Sequence, residues 1–209
     1  MPHSPELRFP GLPAEPDPDP LARLAAWIEE ARAAGVPEPS AMALATVTPE
    51  GRPANRIVIC RGVDADGILF FTDTQSAKGR DLAATPWAAA LFTWDPPQRQ
   101  VRVSGPVAPL PAAETEAWLR ARPRAARLLL WASEQSAPVA DRAELEARVA
   151  ATAARFAEGD EVPPPPRWGG YRIAAREVEL WGGRMDRLHD RFHYAREEGG
   201  PWKVRRLMP

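Results

Sequence analysis

Between Ala41 and Pro109 the apolar residues come in short runs, each closed within a few residues by a turn signal. Parallel strands need crossovers of a dozen residues or more, and these gaps are too short for them. This stretch must therefore fold mainly as antiparallel strands with tight connections. Ala41–Thr48 reads as a strand ended by Pro49, Glu50 and Gly51. Arg56–Val63 and Ile68–Thr72 flank a hairpin turn at Asp64-Ala65-Asp66-Gly67. Ser76–Ala84 reads as a short helix stopped by Pro86, and Trp87–Trp94 and Gln100–Val107 meet at Asp95-Pro96-Pro97. So many close turns point to an antiparallel barrel.

The flanks differ. Seven of the 25 prolines lie in residues 1–20, which read as an extended or mobile arm. Asp19 then caps a helix with Pro20 in its first turn; Leu21, Leu24, Trp27, Ile28 and Ala31 follow helical spacing, and Gly35 ends it. Helices are expected at Glu114–Ala121, Ala125–Ser133 and Asp141–Glu158. A linker, Asp160–Pro166, closes in four prolines. A second β section follows at Gly170–Ile173, Glu177–Trp181, Leu188–Tyr194 and Trp202–Leu207. Strands with helices inserted late make the chain α+β.

With 209 residues there is ample material for a core. The net charge of −1, from 27 basic against 28 acidic residues, argues against a general nucleic-acid or anionic-membrane binder. No apolar run is long enough to span a bilayer, and the first residues do not resemble a secretory signal. One cysteine, Cys60, excludes an internal disulfide and a paired-cysteine metal or redox site; it reads as a small core residue. No metal-ligand cluster is present, so no metal is expected. A reducing, cytoplasmic setting is the default. Nearly every basic residue is arginine, which makes Lys78 and Lys203 conspicuous.

Several groupings can carry chemistry, each beside a plainer reading. Arg187, His189 and Arg191 would share one face of a strand and want an anion; a solvated edge strand explains them as simply. Thr72–Lys78, at a strand-to-helix junction, offers hydroxyls, free N–H groups and a lysine to a phosphate, or just a capped helix. Arg56 and Arg61 bracket an apolar strand that ends either at a polar cleft or in solvent. Gln98, Gln100 and Arg102 share a strand face opposite Val101 and Val103. That face can read the amide edge of a heterocycle, or be an ordinary half-buried strand. Arg120, Arg122 and Arg124 form a phosphate clamp or a solvated helix face. There is no Gly-rich dinucleotide motif, phosphate-binding loop or nucleophile elbow.

Taken together, segments 38–47 (EPSAMALATV), 56–61 (RIVICR), 70–82 (FFTDTQSAKGRDL), 99–105 (RQVRVSG), 121–124 (ARPR), 131–136 (WASEQS), 163–173 (PPPPRWGGYRI), 179–191 (ELWGGRMDRLHDR) and the WKVRRLMP ending resemble the pyridoxine/pyridoxamine 5′-phosphate oxidases, flavoenzymes that use FMN. The resemblance runs from about Leu21 to Pro209. It implies an FMN-binding split β-barrel of about six antiparallel strands with flanking helices. It also implies a homodimer with FMN at the interface. The divisions would be an arm at 1–20, the FMN-binding barrel domain at 21–162 and a C-terminal dimerisation segment at 163–209.

Residue by residue, the resemblance assigns FMN contacts to Arg56, Ile57, Val58, Ile59, Arg61, Phe71, Thr72, Lys78, Gln100, Gln135, Ser136, Trp181 and Arg191. Some of these come from the partner subunit. Arg187 and His189 match the pair beside the flavin and the substrate. Arg61, Trp118 and Arg122 match substrate-phosphate positions. The activity implied is oxidation of pyridoxine or pyridoxamine 5′-phosphate to pyridoxal 5′-phosphate, with O2 as acceptor and H2O2 as product. Four positions depart from the family pattern. Arg61 replaces a lysine, Trp118 a tyrosine, Ala126 a frequent serine, and Ala77 a frequent basic residue. Those at 61, 118 and 126 keep open a different reduced substrate, such as a dihydrophenazine carboxylic acid. A non-catalytic FMN or pyridoxal-phosphate binding protein is the third reading.

Overall fold

The computed structural model describes residues 10–156 and 161–209. Helix α1 (Pro20–Ala33) begins where expected: the Asp19 carboxylate accepts the Leu21 and Ala22 N–H groups, and Pro20 sits in the first turn. Strands β1 (Ala41–Val47), β2 (Pro53–Ile59), β3 (Gly62–Val63) and β4 (Gly67–Asp73) follow. The apolar run expected as one strand over Arg56–Val63 is broken at Cys60 and Arg61. Cys60 N–H bonds to Ser40 O while Arg61 N–H bonds to Leu69 O, so the chain leaves one neighbour for another. Helix α2 (Ala77–Ala84) is capped by Ser76, and β5 (Trp87–Trp94) and β6 (Arg99–Pro109) complete the first β section.

Helices α3 (Ala112–Arg120), α4 (Arg124–Ala132) and α5 (Arg142–Arg155) are inserted next; the expected end of α5 at Glu158 lies outside the described residues, as does the start of the linker. The last section is β7 (Trp168–Ala174), β8 (Glu177–Gly182), β9 (Asp190–Ala195) and β10 (Lys203–Arg206).

All the pairings are antiparallel. The main path runs β10-β9-β8-β6-β5-β1-β2, with β7 joining β6 to β4 and β3. The result is a curled, split barrel with five helices around it. Strand β6 is the branch point: Arg99–Ser104 pairs with β8, whereas Val107–Pro109 pairs with β7. Gly105 sits at the split, and a Cβ there would lie 1.8 Å from Ala174 O. The core fills the curl with Leu44, Ile68, Phe70, Phe92, Val101, Val103 and Tyr194, none measurably exposed. Trp27 of α1 meets Trp94 edge to face across it.

Among the arm residues, 1–9 lie outside those described. Gly11 N–H bonds to Gly183 O, and Leu12 N–H to the Asp190 carboxylate, so residues 11–12 lie against the C-terminal strands.

Gly105→Ala should cost on the order of 3 kcal/mol, because backbone rather than a movable side chain blocks the new methyl. A drop of roughly 10 °C in Tm is expected in a thermal melt; an unchanged Tm would refute the tight branch point.

Candidate active site

A cavity of about 400 Å³ opens beside β2. That strand is a sheet edge, paired only with β1, so alternate backbone N–H and C=O groups have no strand partner. Arg56, Ile57, Val58 and Ile59 all line the cavity, and Ile57 is 68% exposed. The opposite wall comes from Phe71 and Thr72 of β4, Lys78 of α2, and the inserted helical segment.

One end is a basic recess. Lys78 is only 7% exposed. Its ammonium donates to Thr72 Oγ1 at 3.0 Å, Ser76 Oγ at 3.4 Å and Gln135 Oε1 at 2.8 Å. Among the described residues no carboxylate lies within ion-pair distance of it. Burial, followed by the Arg56 charge, lowers its pKa from 10.5 to about 8. Arg56 is held by Thr46 Oγ1 and by Asp81, whose carboxylate is 3.3 Å away. A buried ammonium without a counter-ion, at a helix N-terminus among hydroxyls, fits a phosphate dianion. FMN carries such a group, and the edge strand beside it suits the amide-like edge of a flavin.

Gln135 and Ser136 reach this recess from the loop after α4. Thr72 Oγ1 donates to Gln135 Oε1 at 2.7 Å, and Ala77 N–H donates to Ser136 Oγ at 3.2 Å. Ser136 adopts a left-handed φ of 72°, so this loop is bent to meet the helix start.

The other end is a second basic cluster on an aromatic floor. Phe71 and Trp118 stack with centroids 3.8 Å apart and planes 5° apart. Arg61 and Arg122 lie over the Trp118 ring at 5.8 and 5.1 Å. Burial and then the Arg122 charge lower the Arg61 pKa. Neither guanidinium has a carboxylate partner among the described residues. Of the three arginines at 120–124, only Arg122 faces the cavity. Arg120 pairs with Glu116 and Glu161, and Arg124 donates to Phe156 O. Ala126, Leu130 and Trp168 complete the lining, and the Trp168 indole N–H is buried without a partner. Leu130, Trp168, Asp81 and Thr46 were not singled out by the sequence. An aspartate three residues after Lys78 was the one available cue.

The remaining candidates lie elsewhere. Gln100, Trp181 and Arg191 form one cross-strand row on the outer face of β6, β8 and β9. From β2 to β6 is three strand spacings, about 14 Å along the sheet, and to β9 about 24 Å. Arg191 is held by Glu179 at 2.8 Å, which also binds Arg102 at 2.9 Å. Arg187 and His189 do not share a strand face with Arg191, because β9 begins only at Asp190. They stand in the turn before it, where Arg187 has a left-handed φ of 63°. The His189 ring leans on Trp181, centroids 4.7 Å apart, and its Nδ1 accepts the Arg184 N–H at 3.1 Å.

Comparison with known proteins is decisive for ancestry. The model of a family described as pyridoxamine 5′-phosphate oxidase matches residues 28–156. A second, described as the pyridoxine 5′-phosphate oxidase C-terminal dimerisation region, matches residues 168–209. The chain belongs to the pyridoxamine 5′-phosphate oxidase family. A pyridoxine/pyridoxamine 5′-phosphate oxidase of Burkholderia multivorans is 48% identical over 198 residues, covering 94% of this chain and 92% of that protein. One from Mycolicibacterium paratuberculosis is 51% identical over 189 residues, covering 90% and 84%. Among solved structures, PhzG from Burkholderia lata in complex with tetrahydrophenazine-1-carboxylic acid aligns with a TM-score of 0.89 at 36% identity, covering 97% of this chain and all of that one. The family resemblance and the split-barrel fold expected from the sequence are thus both borne out, and the family is one of oxidoreductases. Among the described residues no helix is long and apolar enough to cross a membrane.

Lys78 gives a pH test. The folded residue releases its proton near 8 and the unfolded one near 10.5, so in between the unfolded chain binds more protons. Ligand-free protein should gain stability from this group as pH rises through that window, and Lys78→Met should remove the gain. Parallel pH–Tm curves for the two proteins would contradict the assignment.

Proposed function

We propose that the chain is a cytoplasmic, homodimeric FMN-dependent oxidase that converts pyridoxine or pyridoxamine 5′-phosphate to pyridoxal 5′-phosphate. The observation that carries this is the pair of basic clusters in one cavity. Lys78 with Arg56 suits the FMN phosphate, and Arg61 with Arg122 suits a substrate phosphate beyond the ring. Two separate anions account for Lys78, Arg61 and Arg122, which have no carboxylate partner among the described residues.

Bound FMN would supply a hydride acceptor at ring N5, with O2 as the final acceptor and H2O2 as the product. The chain does the rest. Thr72, Lys78, Gln135 and Ser136 would hold the phosphate end, and the free edge of β2 would be available to the ring. Trp118 and Phe71 form an apolar floor, on which Arg61 and Arg122 would anchor the substrate phosphate and so orient its C4′ carbon. The alcohol vitamer gives up a hydride and a proton to become the aldehyde; the amine gives an imine that water hydrolyses. His189 accepts a backbone N–H at Nδ1, so its neutral ring carries the proton on Nε2 and offers a donor. It orients rather than abstracts.

The outer face supports the dimer. Gln100, Trp181, Arg191, Arg187 and His189 are strands away from the cavity in their own chain, so a second copy is needed to bring them to it. The same face exposes Ile57, Trp87 and Leu91, at 68, 50 and 37%. The division into 1–20, 21–162 and 163–209 belongs to this proposal; β7 pairs with β4 and β6, which packs the last segment on the same body.

A second reading keeps the flavin and replaces the vitamer with a reduced tricyclic acid. Trp118 and Ala126 favour it, offering a flat aromatic wall and no hydroxyl. The structurally similar PhzG binds an acid of that kind.

Anaerobic titration with pyridoxine 5′-phosphate should bleach the flavin's visible absorption, and air should restore it. Bleaching by a dihydrophenazine carboxylic acid alone would transfer the proposal to the second reading. A yellow protein inert to both would leave a binding role, and a protein that refused FMN would overturn both oxidase readings. Arg122→Ala should raise KM for the phosphorylated vitamer about tenfold, the loss of one charge-assisted contact, with FMN still bound; an unchanged KM would remove Arg122 from the substrate site.

A further inference from the structure

Asp190, 8% exposed, is where the N-terminal segment and β10 meet the start of its own turn. Its carboxylate accepts the Leu12 N–H at 3.0 Å, the Arg184 guanidinium at 3.3 Å, and the Arg206 guanidinium of β10. Arg206 also donates to Ala14 O at 3.2 Å. Gly11 N–H, one residue before Leu12, bonds to Gly183 O at 3.1 Å, and a Cβ on Gly182 would meet Gly11 C at 2.7 Å. The segment 11–14 is thus strapped across both ends of the turn that carries Arg187 and His189. That turn needs external support: Arg187 is left-handed, Met185 and Leu188 are both 67% exposed, and His189 is oriented by the backbone of Arg184.

We propose that Asp190 and the strap residues Gly11 and Leu12 are positioning residues for Arg187 and His189, which makes the N-terminal segment part of the catalytic apparatus. This rests on the oxidase reading above. Asp190 fixes the exit of the turn and Gly183 its entry, and the strap bridges the two. Burial opposes the Asp190 charge, but the Leu12 N–H, then Arg206 and Arg184, outweigh it and lower the pKa, so the carboxylate stays ionised as the hub requires. Gly11 is buried with φ +63°, and a Cβ there would lie 2.8 Å from Asp190 Oδ2, so only glycine lets the strap close.

The test uses full-length FMN-loaded Asp190→Asn and Gly11→Ala. Both should lower kcat about tenfold or more through misplaced orienting groups, with FMN affinity within about twofold of the parent. The chain has three histidines, so side-chain 15N spectra can follow His189 directly. The parent should show the Nε2–H tautomer, and the variants a mixture. Loss of kcat together with FMN affinity and Tm would make Asp190 merely structural. A kcat and His189 spectrum unchanged in Gly11→Ala would overturn the proposal even if Asp190→Asn failed to fold. If the parent oxidises no vitamer or phenazine, the oxidase reading fails alone, and the histidine spectra still decide whether the strap controls the turn.

Discussion

Strand β6 is shared by more partners than any other, and the architecture follows from it. Its eleven residues pair with β5 along one edge and with β8 and then β7 along the other. A sheet that branches in this way must curl, and curling separates an inner face that can be filled from an outer face that cannot. Gly105 permits the branch because nothing else fits between the backbones of β6 and β7. Once the split is set, β2 becomes an edge and the helical insertion has a cleft to cover. The cavity is the space left between them.

Charge distribution follows the same division. Three arginines away from the cavity are matched: Arg191 and Arg102 share Glu179, and Arg172 meets Asp64. Around the cavity the match fails at Lys78, Arg61 and Arg122. A net charge of −1 conceals this, since it averages paired surface charges with cavity cations that have no carboxylate partner among the described residues. The informative quantity is where opposite charges fail to meet.

Much of this was legible in the sequence. Strand and helix positions followed from periodicity and from Asp19, Ser76 and the turn residues, because those signals are local. Two local signals misled. The apolar run through Cys60 continues across a strand break, since the break is made by a change of partner. The alternation Arg187, His189, Arg191 imitates a strand where the chain turns. The three arginines at 120–124 were indistinguishable until helix packing pointed one of them inward. Nothing local could place Gln100 and Trp181 far from Arg56 within one chain, because that separation is counted in strands rather than residues. The family resemblance supplied what patterning could not, naming residues for one site that the fold distributes over two faces.

The contact between Leu12 and Asp190 spans 178 residues. During synthesis the strap emerges well before Asp190 and Arg206, and it has nothing to grip until both have left the ribosome. The barrel can gather its local hairpins earlier, since those closures are short. The topology therefore favours an order, with the clasp on the turn bearing Arg187 and His189 closing after those hairpins. A chain lacking Arg206 would lose one clasp of that turn while keeping the strand pairings that do not involve β10.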